Sequence, residues 1–263
     1  MTEFIVIVPV AFLLLFGCLQ FALIYQAKAA LNYAVFSSAR LASVHHAQFD
    51  YARRGFVIGM APFFSYDNQS MVVEQAVHLV DEQVANGYVK IIRVNPTVAA
   101  FGVFGEDAIQ DNDWDDDPAG QAQIPNGNLL YRNDTVQANV NIQDANLLKI
   151  GVVYCFHLTF PFIREAIHEA VMNYGIGRNS GSDFDHDCRT LTPVSEHDED
   201  MMFIPIRAAA IVRMQNAAWE DAGAWSKLPP YGASSKKLFN VGSAGSGGAT
   251  VSENPEAGNQ TGP

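Results

Sequence analysis

The pattern of apolar and polar positions changes character once along the first fifty residues. From Phe4 to Tyr25 the chain is apolar on every side: no charged residue stands between Glu3 and Lys28, and Gln20 is the strongly polar residue within the run. At about 1.5 Å per residue such a helix covers the roughly 30 Å hydrocarbon core of a bilayer, so the run predicts a membrane-spanning helix. Pro9 lacks a backbone donor and predicts a bend near the start. Gly17 offers a place where a second helix can come close. From Ala27 the pattern turns amphipathic. Ala27, Ala30, Leu31, Ala34, Val35, Leu41 and Ala42 recur at helical spacing, opposite Lys28, Asn32 and Arg40. This predicts that the helix leaves the membrane and continues to Arg53 or Arg54, with Gly55 as its stop.

Beyond the helix the periods shorten and mix. Phe56 to Asn68 reads as irregular, with Gly59, Pro62 and Asn68 as breakers. Ser70 opens a helix whose apolar positions are Val73, Ala76, Val77, Val80 and Val84, ending near Asn86 and Gly87. Strands are predicted over 88–95, 135–142, 150–158 and 205–214, and a helix over 161–174. From about Lys227 the composition shifts to Gly, Ser, Ala and Pro, the mark of a flexible tail. The expected organisation is a transmembrane and stalk helix (1–54), an extracytoplasmic domain (55–226) and a tail (227–263). Its class is α+β, an antiparallel sheet with covering helices.

Charge narrows the partners. The net charge of −12, from 28 acidic and 16 basic side chains, argues against nucleic acid and anionic membrane surfaces as partners of the domain. Orientation is not fixed by charge, because Lys28, Arg40, Arg53 and Arg54 all follow the apolar run and none precedes it. Ala27-Lys28-Ala29 has the form of a signal-peptidase site. The apolar run exceeds the usual core of a signal peptide, of about 7–15 residues, and favours an anchor.

Two features admit more than one reading. Glu3 stands at the mouth of the apolar run; a carboxylate there either pairs with an α-amino group, its own or a neighbour's, or lies solvated at the headgroups where the helix dipole favours it. Cys18 reads as a small apolar residue inside the helix. Cys155 and Cys188 form an even pair in the outer domain, either a disulfide, which oxidising surroundings would preserve, or two buried thiols.

The order Thr2-Glu3-Phe4, then Pro9, then Phe16-Gly17, with Ser38-Ala39-Arg40 closing the amphipathic extension, closely resembles the N-terminal helix of TadE-like minor pilins. These belong to the tight-adherence (Flp) branch of type IV pilus systems. A weaker resemblance, over 142–150 and 205–215, is to the outer domain of proteobacterial members. The resemblance implies a pilin-like minor pilin or pseudopilin in the inner membrane, single-pass, with its domain periplasmic or extracellular. It implies Glu3, Phe4, Pro9 and Gly17 as assembly residues, other pilin subunits and the inner-membrane assembly platform as partners, and neither an enzyme nor a bound cofactor. Two departures stand out. The family's glutamate is the fifth residue of a chain cut after a glycine, whereas here it is the third; and Gln20 occupies a position where many relatives carry a second acid.

The competing reading is a membrane-anchored binding protein that does not polymerise. Its basis is two acidic loops, with alternating Asp111, Asp113, Asp115 and Asp117 in one and Asp183, Asp185 and Asp187 in the other. Alternating acids can converge on calcium. Both loops fail the EF-hand pattern, since Asp116 and Cys188 stand at the glycine position and Ala122 and Val194 at the closing glutamate, so no metal site is expected. The seven histidines show no ligand spacing. No nucleophile elbow, phosphate-binding glycine loop or zinc-protease helix is present, nor is the Asp-x-Ser-x-Ser metal motif of a related pilus protein.

Overall fold

A computed structural model describes residues 2–65, 72–107, 121–132, 134–137, 140–160, 163–173, 188, 201–220 and 225; residues 2–6, 72, 172 and 173 are described by backbone alone. The chain begins with α1 (Thr2–Val44), about 65 Å long at the helical rise. Then come α2 (Phe49–Phe64), α3 (Val72–Ala85), β1 (Val89–Asn95) and α4 (Val98–Phe104). The short strands β2 (Glu106–Asp107) and β3 (Ala122–Ile124) precede α5 (Ile142–Ala145) and the long strand β4 (Leu147–His157). The order closes with α6 (Arg164–Asn173), β5 (Phe203–Arg213) and β6 (Ala218–Trp219). The fold is α+β, a long apolar helix followed by helices and antiparallel sheets.

The main sheet has the order β1-β4-β5, with β4 central and antiparallel to both neighbours. On one face, Leu148, Ile150, Val152 and Tyr154 of β4 and Ile204, Ile206 and Ala208 of β5 join the core formed with Ala27, Leu31, Ala34 and Val35 of α1. Period 2 on the strands meets period 3.6 on the helix, and each apolar stripe covers the other. A second sheet, β2-β3-β6, sits at the outer end.

The helix does not run to Arg54. It ends at Val44, and the chain turns through His46 and Ala47, both left-handed with φ of 55° and 57°, into α2, where Gly55 lies in the middle. The physical reason is long-range. Carbonyls at the end of α1 and in the turn are taken up from far along the chain: Gln215 and Asn216 N–H donate to Ser43 O, Trp219 N–H donates to His46 O, and Trp225 Nε1 donates to Ala47 O. The His46 ring also stacks on Trp219 at 3.8 Å.

The returning α2 packs tightly along α1. A Cβ placed at Gly59 would lie 2.7 Å from Ala34 Cα, and one at Gly55 would lie 2.8 Å from Ser37 O and Ser38 Cα. Only hydrogen fits there, so the spacing Gly55-x-x-x-Gly59 lets two backbones touch. Ser38 Oγ donates to Ala52 O across the same contact, at 2.7 Å. On its far side α2 is tied to α3 by the buried Arg53–Asp81 ion pair, at 2.7 Å.

Two further expectations change. The segment 56–64 is helical, not irregular. The described residues of 135–142 form no strand: a bridge joins Gln137 and Val140, and Asn141 caps α5 by accepting from Asp144 N–H at 2.6 Å. Ser70, both acidic loops apart from Cys188, and the tail expected at 227–263 lie outside the described residues.

Candidate assembly interface

The N-terminal part of α1 carries the residues expected to act in assembly. Glu3 and Phe4 are helical in backbone, and their side chains lie outside the described residues. Pro9 sits inside the helix and is exposed. Around it Ile7, Val10, Phe12, Leu13, Leu14 and Leu15 are at least half exposed, so the helix is greasy and uncovered on all sides here. It is long and apolar enough to cross a membrane.

The uncovered stretch is shorter than the apolar run. Phe160 stacks on Phe16 with ring centroids 5.5 Å apart, and a Cβ on Gly17 would stand 3.5 Å from Ile163 Cδ1, an ordinary contact. Gly17 therefore faces the chain's own outer domain. Gln20 is fully buried, and its Oε1 accepts from the backbone N–H groups of Thr159 and Phe160, at 3.2 and 3.1 Å. A polar residue inside a hydrophobic run, which the sequence presents as able to bond across a helix interface, is used within the molecule to cap the exit of β4. No local pattern announces this, because its partners are backbone groups about 140 residues away.

Above Gln20 the two sides of α1 differ. The inner side is small and buried; the outer side leaves Tyr25, Tyr33 and Phe36 exposed, with the Arg40 guanidinium 5.8 Å from the Phe36 ring centroid. Tyr33, Phe36 and Arg40, with Ile58 of α2, border a groove of about 410 Å³.

Residues 1–40 match the family described as TadE-like protein. The N-terminal part of this chain is a TadE-like segment. No curated protein and no solved structure matches the chain. The TadE-like segment thus covers the exposed apolar stretch, the Gln20 contact and most of the helix that packs on the sheet.

The Cys155–Cys188 disulfide is formed, with Cα atoms 5.7 Å apart, and is buried beside Tyr88 and Phe203. It ties the end of β4 to a point 33 residues further along the chain. Disulfides persist in oxidising surroundings, which suits a domain outside the cytoplasm. Among the described residues no group of three or more His, Cys, Asp or Glu side chains is arranged to hold a metal ion. The aspartates of the two acidic loops are not among them.

Proposed function

We propose that this protein is a minor pilin or pseudopilin of a tight-adherence (Flp) type pilus. It is held in the inner membrane by α1, with its disulfide-bonded domain on the periplasmic or extracellular side. It acts in assembly or initiation of the fibre and not as an enzyme. The observation that carries this reading is the TadE-like match over residues 1–40, which coincides with a helix that is uncovered and apolar at one end and built into the domain at the other.

In this reading the exposed stretch around Pro9 leaves the lipid for the company of other pilin helices, and the assembly platform is the partner that moves it. Phe4 and Pro9 shape that stretch. Gly17, half-buried and in ordinary contact with Ile163, keeps the helix narrow where that stretch meets the domain. Glu3 sets the register by pairing its carboxylate with an α-amino group of the next subunit. Removing one partner of such a desolvated pair costs about 3–5 kcal/mol, enough to block incorporation.

The test is Glu3→Gln expressed in the native host. The expected result is a variant that inserts into the inner membrane at wild-type level and is missing from sheared pili. Normal incorporation would remove Glu3 from the mechanism.

A further inference from the structure

The order β1-β4-β5 leaves β5 at the edge of the main sheet. Which of its backbone groups point outward follows from the ladder. Leu158 N–H donates to Met202 O and Met214 N–H to Asn146 O, so in the β4–β5 register the even-numbered pairs are the hydrogen-bonded ones. Cys155 N–H donates to Tyr88 O, so the odd-numbered residues of β4 turn to β1. The N–H and C=O groups of the odd residues of β5 therefore face away from the sheet.

That edge is guarded at one end and open at the other. Pro205 has no N–H to offer, and Lys28 Nζ donates to Arg207 O, bringing α1 over the edge. From Ala209 the cover stops. Ala209 and Ile211 are exposed, Ile211 at 60%, and among the described residues nothing pairs with their outward groups. Natural edges carry a guard because an open one templates another strand.

Height above the membrane follows from the contacts along α1. Gln20 meets Thr159, beside the start of β5; Lys28 meets Arg207; Ser43 meets Gln215. β5 thus runs outward alongside α1, and its open part lies level with the outer end of the helix. At the same level, β6 stacks on His46 and pairs with β3, which pairs with β2. The segment between β2 and β3 contains Asp111, Asp113, Asp115 and Asp117. In an extended chain these four carboxylates fall on one side.

The open edge is basic on the matching side. Lys149, opposite Ile211 in the register, and Arg213 share the sheet face of Ala209 and Ile211, and neither joins an ion pair among the described residues. Asp107 and Ala122, which bound that segment in the chain, belong to the sheet at this height, so a copy standing alongside in a membrane can offer it to β5 in a head-to-tail contact. We propose that the edge of β5 from Ala209 to Arg213 accepts, as an added strand, the acidic segment 111–117 of a second copy of this chain. Backbone bonds supply the pairing, and the aspartates face Lys149 and Arg213. The contact goes beyond the helix-to-helix assembly proposed above and does not involve Glu3.

The probe is a fluorescent peptide of residues 109–119 titrated into the full chain in detergent micelles, read by anisotropy. Saturable binding is expected, weakened at least about tenfold by Ile211→Pro, which removes an outward N–H and no ladder bond. Arg213→Glu should weaken it by a similar factor, and a peptide with Asp113→Asn and Asp115→Asn should bind less well. The Arg213→Glu arm stands if the proline variant fails to fold. No saturable binding would overturn the proposal. So would equal affinity for oligoglutamate, or loss with Arg213→Glu while a folded Ile211→Pro binds normally, either of which leaves charge attraction without strand addition. Glu3→Gln should bind the peptide as wild type does, so this contact and the helix register fail separately.

Discussion

The two halves of α1 are one unbroken helix in two different surroundings. From Ile7 to Leu15 its side chains are mostly large, apolar and uncovered; above Gln20 the inner face carries Ala27, Ala34, Ala39 and Ala42, all fully buried against α2 and the sheet. The lower half suits a solvent of lipid tails, where large side chains are welcome and nothing needs to fit. The upper half suits a protein interior, where close approach of backbones decides the packing. Hydropathy falls along the helix while burial rises, so apolar character alone misidentifies which half belongs to the core.

The sharpest break in this contrast is expected at Arg53, which holds α2 in place as α2 holds the upper half. Arg53→Leu strands Asp81 in a buried site and should cost about 3–5 kcal/mol in denaturant unfolding of the detergent-solubilised protein. Adding Asp81→Leu should restore most of the loss; an exposed-like response, under about 1 kcal/mol, would show that the pair is solvated.

A smaller and more diagnostic difference lies in the glycines. Gly59→Ala drives a Cβ into the Ala34 backbone and should destabilise by about 1–3 kcal/mol despite the better helix propensity of alanine. Gly17→Ala meets only ordinary contact with Ile163 and should leave the unfolding midpoint of the isolated protein unchanged or slightly raised. Any loss of pilus incorporation by Gly17→Ala then reports on assembly and not on folding. Equal destabilisation by the two substitutions would erase the distinction between the halves.

The smallest effect concerns pH, at the outer end of α1. Burial, with His46 and Arg54 nearby, holds the His45 imidazole below its ordinary pKa of 6.5. The folded state then binds fewer protons than the unfolded one. The associated stability is complete above the unfolded pKa and is lost as pH falls through it towards the folded value. Melting temperature should drop between about pH 7.5 and about pH 5, and His45→Gln should flatten that slope. A slope unchanged in the variant would assign the pH response to other groups.

What the sequence made legible follows the same division. The lower half of α1 is readable because a bilayer imposes a simple requirement of length and apolarity, and the upper face because its apolar positions keep helical spacing. The disulfide partners were legible from the pairing of two cysteines outside the apolar run. The turn after Val44 was not, since His46 and Ala47 carry no turn signature and are held left-handed by bonds from Gln215, Trp219 and Trp225. Gly55 looked like a stop because a glycine after a long helix often is one; read with Gly59 four residues on, it is the small-residue spacing of a helix contact. Val136, Val140 and Ile142 alternate like a strand, yet no neighbouring strand is available to pair with them among the described residues.

The bonds from Gln20, Lys28 and Ser43 fasten α1 at three heights to the β4–β5 ladder and the turn that follows β5. A helix clamped in this way acts mechanically as a spar. A sideways force on the outer end of the domain is passed as torque into the uncovered N-terminal segment, with no joint between Gln20 and Val44 to absorb it. The first place where the spar can yield is Pro9, where a backbone bond is missing. Bending under load is therefore concentrated in the uncovered apolar stretch, away from the sheet.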